Sequence, residues 1–470
     1  MSRTQFLGVG FFGKSPNVTA QTRKNLYLEF KPKGDKTQVV AFPTPGLELI
    51  VDFGGTPVRA QYALGDFDYV VHRGTFWEIN NAGVKTSRGT LLTTSGRCSI
   101  IDNGTQIMIV DGQYGYIYTI STTTLVQITD ADFPANPVTV TFDSGRFIVS
   151  FAASGAFYIS ALYNGLAWDG LDFATAESMP DNLLRVEQDH GDVVMFGEFT
   201  TEFWGNTGEL DFPYARIGGA NLEWGLAATW SVTKFSGSQQ ASSLMFLGKN
   251  RMGEVKVISL TGYTSIPVSN NDLEAIINST TTSNATAFSY MLDGHPMYQI
   301  NFPTLNRSFL YDGASNVWSE LTSSGGRHRC EIGANYISRR YASDYENGKI
   351  YQLKRDVYSD NGVVIIRELT GRHFEVDMDE GFTVGKFTLD METGVGLSSG
   401  QGSDPRVMLQ YSTDNGHNWS EELWVACGAV GEYLVKAEWW RLGWGRDFLF
   451  RVRISDPVNF VITGAGLRVA

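Results

Sequence analysis

At 470 residues the chain is too long for a single hydrophobic core, and a composition of 42% hydrophobic and 19% charged residues argues against disorder. Lysine and arginine number 37 against 50 acidic residues, and the net charge of −13 argues against a broadly basic, duplex-gripping surface. Cys98, Cys330 and Cys427, odd in number and far apart, spell neither a disulfide framework nor a CxxC metal knuckle, and are expected to be buried thiols.

In chain order, residues 1–35 are mixed and polar, with Lys31-Pro32-Lys33-Gly34 as a turn, and are expected to form an arm that needs another surface to pack on. The apolar run from Phe6 to Phe12 is broken by glycines and lacks a cleavage pattern. It resembles neither a signal peptide nor a membrane span, so cytosolic synthesis is expected. From residue 36 to 379 the chain writes hairpins. Tyr69-Val70-Val71-His72-Arg73 is followed across Gly74 by Phe76-Trp77-Glu78-Ile79, and Gln106 to Val110 is followed across Gly112 to Gly115 by Tyr116 to Ile120. Such stretches begin near Val58, Arg97, Val138, Leu183, Leu226, Ala285 and Arg329, a spacing close to that of propeller blades. The expected fold is therefore all-β, with a β-propeller of about seven blades, although a large β-sandwich or solenoid would give a similar rhythm. A short helix is expected over Asn271 to Asn278. Beyond a boundary near Asp379, the glycine-rich loop 394–402 is expected to be mobile. Longer strands follow at Val407 to Tyr411, Phe448 to Ile454 and Val458 to Ile462, and residues 380–470 are expected to be a β-sandwich-like platform.

The segment Ser412-Thr413-Asp414-Asn415-Gly416-His417-Asn418-Trp419 fits the Asp-box S-x-D-x-G-x-x-W. Asp414 can accept turn N–H groups, Gly416 can supply positive φ, and Trp419 can pack under the hairpin. Sialidases carry this box, but as a structural turn, and one copy outside the blades points to a turn without catalysis. The carboxylate pairs Asp130 with Asp132 and Asp189 with Asp192, and the run Asp377-Met378-Asp379-Glu380, have the residue types of a glycosidase acid and base, yet such pairs usually sit in hairpin turns. Six histidines without HxxxH or HxH spacing suggest no metal site, and His295 is expected to be a turn histidine bonded to backbone. No P-loop or serine elbow is present and no cofactor is expected. Trp439, Trp440 and Trp444 are expected at sandwich or subunit contacts rather than on a sugar platform.

Several motifs, in order along the chain, carry a family resemblance. They include Asn25-Leu26-Tyr27-Leu28-Glu29, Thr44-Pro45-Gly46-Leu47, Thr201-Glu202-Phe203-Trp204-Gly205-Asn206-Thr207-Gly208, Phe212-Pro213-Tyr214, Gly218-Gly219-Ala220 and Glu223-Trp224-Gly225. Ser265 to Ser269, Leu273 to Ile277, Gly294-His295, Tyr311-Asp312 with Trp318, and Asp360-Asn361-Gly362 complete the set. With these the chain resembles the packaged-DNA stabilisation proteins of short-tailed bacteriophages, also called tail accessory factors or nozzle proteins.

The resemblance implies a structural virion tail protein, not an enzyme, made in the host bacterial cytoplasm. It would form a hexameric ring below the portal and its adaptor, retain packaged DNA and form the channel for ejection. Its implied partners are further copies of itself, the portal-adaptor proteins, tail fibre, spike or needle proteins, and viral DNA in transient, non-specific passage, with no membrane insertion by this chain. The negative net charge suggests an acidic channel wall that lets DNA slide. The alternative is a propeller-based receptor-binding or carbohydrate-active, sialidase-like tail protein, which would show converging carboxylates at one end of the propeller.

Overall fold

Alternation within each apolar run explains the fold of the first two thirds of the chain. In the strand Gln106–Val110, Ile107 and Ile109 point to one side and pack with Tyr69 and Phe76. Met108 and Val110 point to the other and pack with Val140, Phe147 and Val149. Successive side chains of a strand face opposite sides, so a run apolar at every position must be covered on both. Each such side chain contributes about 1.5–3 kcal/mol on full burial. A single hairpin cannot collect that; stacked sheets can. Short side chains close the turns: Asp111 Oδ1 accepts the Gln113 and Tyr114 N–H groups at 3.0 and 2.7 Å.

In a computed structural model, which describes residues 2–4, 6–10, 13–35, 37–176, 181–209, 212–235, 243–336, 339–375 and 381–469, seven antiparallel sheets stand around one axis. Their inner strands are Val58–Leu64, Ser99–Asp102, Pro137–Asp143, Leu183–Asp189, the pair Gly225–Leu226 and Thr233–Phe235, Thr286–Leu292, and Cys330–Tyr336. Neighbouring blades touch along these inner strands, blade four reaching blade five through Asp192–Gly197 and Gly225–Leu226 and through Gln188 with Lys234, and the last inner strand neighbours the first. The propeller closes with strand Gly46–Asp52, which pairs antiparallel with Lys349–Lys354, Leu47 facing Leu353. Blade seven is thus completed by residues 300 positions earlier in the chain. The helix forms at Asn271–Ile277, capped by the Asn270 side chain accepting from Leu273 N, and seats Leu273 and Ile277 in the core.

The remaining strands form two facing sheets, and both recruit the N-terminal segment. Strand Thr22–Lys24 runs between Val317–Ser323 of blade six and Arg367–Thr370, making one continuous sheet that passes on through Asp447–Ile454 and Arg406–Ser412 to Leu423–Ala426. The second sheet runs Leu26–Phe30, Val39–Pro43, Ile462–Val469, Phe382–Met391 and Ala437–Gly445. Phe6, Leu26, Leu28 and Ala41 share its core with Phe387, Phe448 and Phe450. The surface that the arm needs is this sandwich. Arg367–Thr370 lies ahead of residue 379 and is hydrogen-bonded to the C-terminal strands; Asp379 itself falls outside the described residues, as does the whole run Asp377 to Glu380.

Two local expectations change. His295 does not bond backbone: it lies buried at the start of strand His295–Phe302, and its Nδ1 is 2.8 Å from Asp312 Oδ2. A carboxylate 17 residues away is a better partner for a buried imidazole than a carbonyl, because it balances the charge that this contact draws onto the ring; the Asp312 contact, against burial, pushes its pKa up. The 394–402 loop is tied into a turn, with Leu397 N–H donating to Gly402 O at 2.7 Å and Ser403 N–H to Gly400 O at 3.1 Å. All three cysteines are buried and free.

Candidate functional site

Three of the motifs that carry the resemblance, Asn25 to Glu29, Thr44 to Leu47 and Asp360 to Gly362, meet at the joint between the two β regions, while those from Thr201 to Ser269 lie in blades four and five. Asn25 adopts φ +55, the left-handed conformation that asparagine tolerates, at the corner between Thr22–Lys24 and Leu26–Phe30. Its Nδ2 donates to Thr322 O, Thr322 Oγ1 and Ile366 O at 3.1, 2.9 and 2.9 Å, and its Oδ1 accepts Thr322 N–H at 2.9 Å. One buried amide therefore binds blade six and the linker to the sandwich. Gly46 is required nearby, because a Cβ there would lie 2.4 Å from Val357 O and 2.7 Å from Ser359 O, both backbone atoms that cannot step aside. Asn361 and Gly362 supply positive φ for the tight turn after Ser359–Asp360, and Asp360 accepts the Ser323 hydroxyl at 2.6 Å. Burial pushes the Asp360 carboxyl up to about 6. Arg23, buried beside them, donates to Gly8 O, Gly10 O and Trp318 O at 2.7, 3.0 and 2.8 Å.

The Asp-box residues lie between Arg406–Ser412 and Leu423–Ala426. Ser412 Oγ donates to Asp414 Oδ1 at 2.7 Å and accepts Gly416 N–H at 2.9 Å. Asp414 Oδ1 accepts Asn418 N–H at 2.8 Å, and its bonds to Asn418 and Ser412 hold the carboxyl down at about 2. Gly416 has φ +87, and the Arg451 guanidinium stacks 4.0 Å from the Trp419 ring centroid. The hydroxyl of Ser412 and the carboxylate of Asp414 are thus spent on the turn itself.

The carboxylate pairs are similarly occupied. Asp130 accepts Asp132 N–H at 3.1 Å and Trp168 N–H at 2.9 Å, bonds that lower its pKa, while Asp192 accepts the Tyr263 hydroxyl at 2.7 Å. His373, Glu375 and Asp447 place ligand-type atoms within 4.8 Å of one another. Both nitrogens of His373 are already engaged, Nδ1 with Asp447 Oδ2 at 2.6 Å and Nε2 with Pro16 O at 2.8 Å, which fastens the arm to the sandwich. A metal would have to displace one of these bonds.

One surface remains unexplained by internal packing. The stretch Leu423 to Gly445 crosses from the edge strand of one sandwich sheet, Leu423–Ala426, to the edge strand of the other, Ala437–Gly445. It exposes Trp424, Tyr433, Leu434, Trp440 and Trp444, with Leu434 at 94% and Tyr433 at 72%. Trp439 is the exception, buried with its Nε1 donating to Leu423 O at 2.8 Å. Composition had pointed to Trp440 and Trp444; Trp424, Tyr433 and Leu434 were missed, because nothing in a local window separates an edge strand from a central one.

The family profile described as Bacteriophage P22 Gp10, beta-propeller, matches residues 14–358, and that described as Bacteriophage P22 Gp10, beta-sandwich, matches residues 367–470. No curated protein matches the chain. Among solved structures it is similar to the Neurospora crassa Pan2 WD40 domain, at 8% identity and TM-score 0.42 over 66% of this chain and 96% of that one. It is also similar to the computationally designed Ika8 protein, at 11% identity and TM-score 0.41 over 71% and 100%, and to a chain of the mitotic checkpoint complex, at 12% and 0.42 over 69% and 96%.

Proposed function

The chain belongs to the bacteriophage P22 Gp10 family, structural proteins of the phage tail that stabilise packaged DNA, and on that premise we propose that it is a ring-forming nozzle subunit. In this reading several copies assemble below the portal and adaptor, enclose the channel through which DNA is retained and then ejected, and anchor fibres or spikes. The supporting observation is the apolar flank from Leu423 to Gly445. Aromatic residues exposed together at sheet edges are what subunit interfaces bury, and unpaired edges invite pairing with another chain. A closed ring uses head-to-tail contacts, which need two different surfaces. The outer strand of blade three, Asn164–Thr175, offers the second, with Leu171 83% exposed beside Tyr163 and Phe173. Among the described residues, Asp130 and Asp192, one member of each carboxylate pair, are engaged in hydrogen bonds with neighbouring turns and strands, which favours the structural reading over the sialidase-like alternative.

Light scattering and negative-stain imaging of the purified protein, alone and with its portal and adaptor, test the proposal. A ring is expected, and Leu434→Glu, which changes no internal contact, is expected to abolish it. A monomer that ignores the portal platform, or a ring indifferent to Leu434→Glu and Leu171→Glu alike, would overturn it.

A further inference from the structure

The inner strands of the seven blades enclose an axial cavity of about 370 Å³ whose charge is opposite to that of the chain. Among the described residues Arg97, Arg185 and Lys234 line it against a single carboxylate, Glu187, so three cations less one anion leave two positive charges. In a protein of net charge −13 this is a localised reversal.

The cations differ in how they are satisfied. Arg185 pairs with Glu187 at 2.8 Å and donates to Thr229 O at 3.3 Å, while Lys234 donates to Gln188 Oε1 at 3.3 Å. Arg97 has no hydrogen-bond partner among the described residues. Its guanidinium lies 5.4 Å from the Trp230 ring centroid, and that of Arg185 lies 5.8 Å from the same ring. One indole thus orients two guanidinium groups at the cavity wall. Arg97 is half-buried at the cavity wall, where desolvation, opposed by Glu331 and reinforced by Arg185, lowers its pKa to about 10. It keeps its charge at neutral pH, and its donors are free for a ligand that brings acceptors.

We propose that the axial cavity binds a compact polyvalent oxyanion, a phosphate or pyrophosphate group, between Arg97 and Arg185, with Lys234 as a third cationic contact. Two uncompensated positive charges match an anion of at least two negative charges, and the planar donors of arginine suit the divergent oxygens of a phosphate. The volume admits a group of this size with water and would not pass a nucleic-acid strand.

The test is calorimetric titration of the full chain with pyrophosphate at low ionic strength, against matched sodium chloride. One saturable site per chain is expected. Arg97→Met and Arg185→Gln should each weaken it at least tenfold, and Lys234→Gln about threefold, while Lys249→Gln, outside the cavity, should leave it unchanged. Because Arg97 makes no hydrogen bond among the described residues, ligand-free Arg97→Met should keep the thermal midpoint of wild type, whereas a structural arginine would lower it. Lys234 is exposed, so its variant folds and decides the matter if Arg97→Met does not. No saturable binding at millimolar pyrophosphate, or an affinity indifferent to Lys234→Gln and Arg97→Met, would overturn the proposal. Equal binding of chloride would do the same.

Discussion

The propeller and the sandwich are both antiparallel β-structure with dry aromatic cores, yet they are assembled on opposite principles. Five blades are built from consecutive hairpins, each strand paired with its neighbour in sequence, and blade five departs only in that Gly225–Leu226 and Thr233–Phe235 both pair with Ser243–Lys249. The sandwich is built from both ends of the chain: Arg23 faces Leu369, and Ser2 faces Leu467. Local pairing lets each blade's strands pair over short loops, although the blades bury their faces only against one another, whereas the sandwich must wait for a loop of some hundreds of residues to close. The comparison teaches that the joint between the two regions rests on a few polar contacts rather than on a core of its own. The polar residues there, Asn25, Arg23 and Asp360, are few, buried and shared by both regions.

The largest expected effect follows from Asn25. Asn25→Ala removes four hydrogen bonds and puts a residue with no taste for φ +55 at the corner, and should cost about 3–5 kcal/mol in urea unfolding. If the joint is the weak link, amide exchange should accelerate in Asp447–Ile454 and Ile462–Val469 while Gln106–Val110 keeps its protection. Uniform loss across both regions would erase the distinction.

A smaller effect, of opposite sign, belongs to the propeller alone. Asp68 in blade one is buried, and burial, opposed by the Gln61 Nε2 bond at 2.7 Å, pushes its carboxyl up to about 8. The folded state therefore holds a proton that the unfolded chain, titrating near 4, has released. Its contribution is complete below about pH 4 and is lost as pH rises through 8. Asp68→Asn should raise stability by about 1–3 kcal/mol at pH 8, with the gain shrinking toward pH 4. A gain independent of pH would show that the carboxyl is not protonated in the fold.

The smallest effect is expected at the Asp-box turn. Asp414 is solvent-facing and its carboxyl is held at about 2, so whatever it contributes is present above about pH 4 and is lost as pH falls through 2. Asp414→Ala should shift the thermal midpoint slightly at pH 7 and not at pH 2, and should leave amide exchange in the blades unchanged. A large loss, or any change in the propeller, would mean that the turn supports more than its own hairpin.

How legible each region was from the sequence follows the same division. Blade starts read near Val58, Arg97, Val138, Leu183, Leu226, Ala285 and Arg329 match inner strands beginning at Val58, Ser99, Pro137, Leu183, Gly225, Thr286 and Cys330. Arg97 was even named as a blade start, but only the ring places its side chain on the axis beside Trp230. Phe374 to Phe387 gave no hint that their core partners are Phe6 and Leu26, since no local period links residues so far apart.

Local patterning by itself therefore determined the all-β class, an approximate repeat and the turns between strands. Alternation and turn chemistry act over a few residues and survive any rearrangement of the rest. The tertiary structure alone decided that Gly46–Asp52 completes blade seven, that the arm is a structural part of the sandwich, and that Trp424 and Leu434 are left uncovered while Trp439 is buried. Those outcomes depend on which distant strand reaches an edge first and on what remains to cover it, and neither is written in any short window of residues.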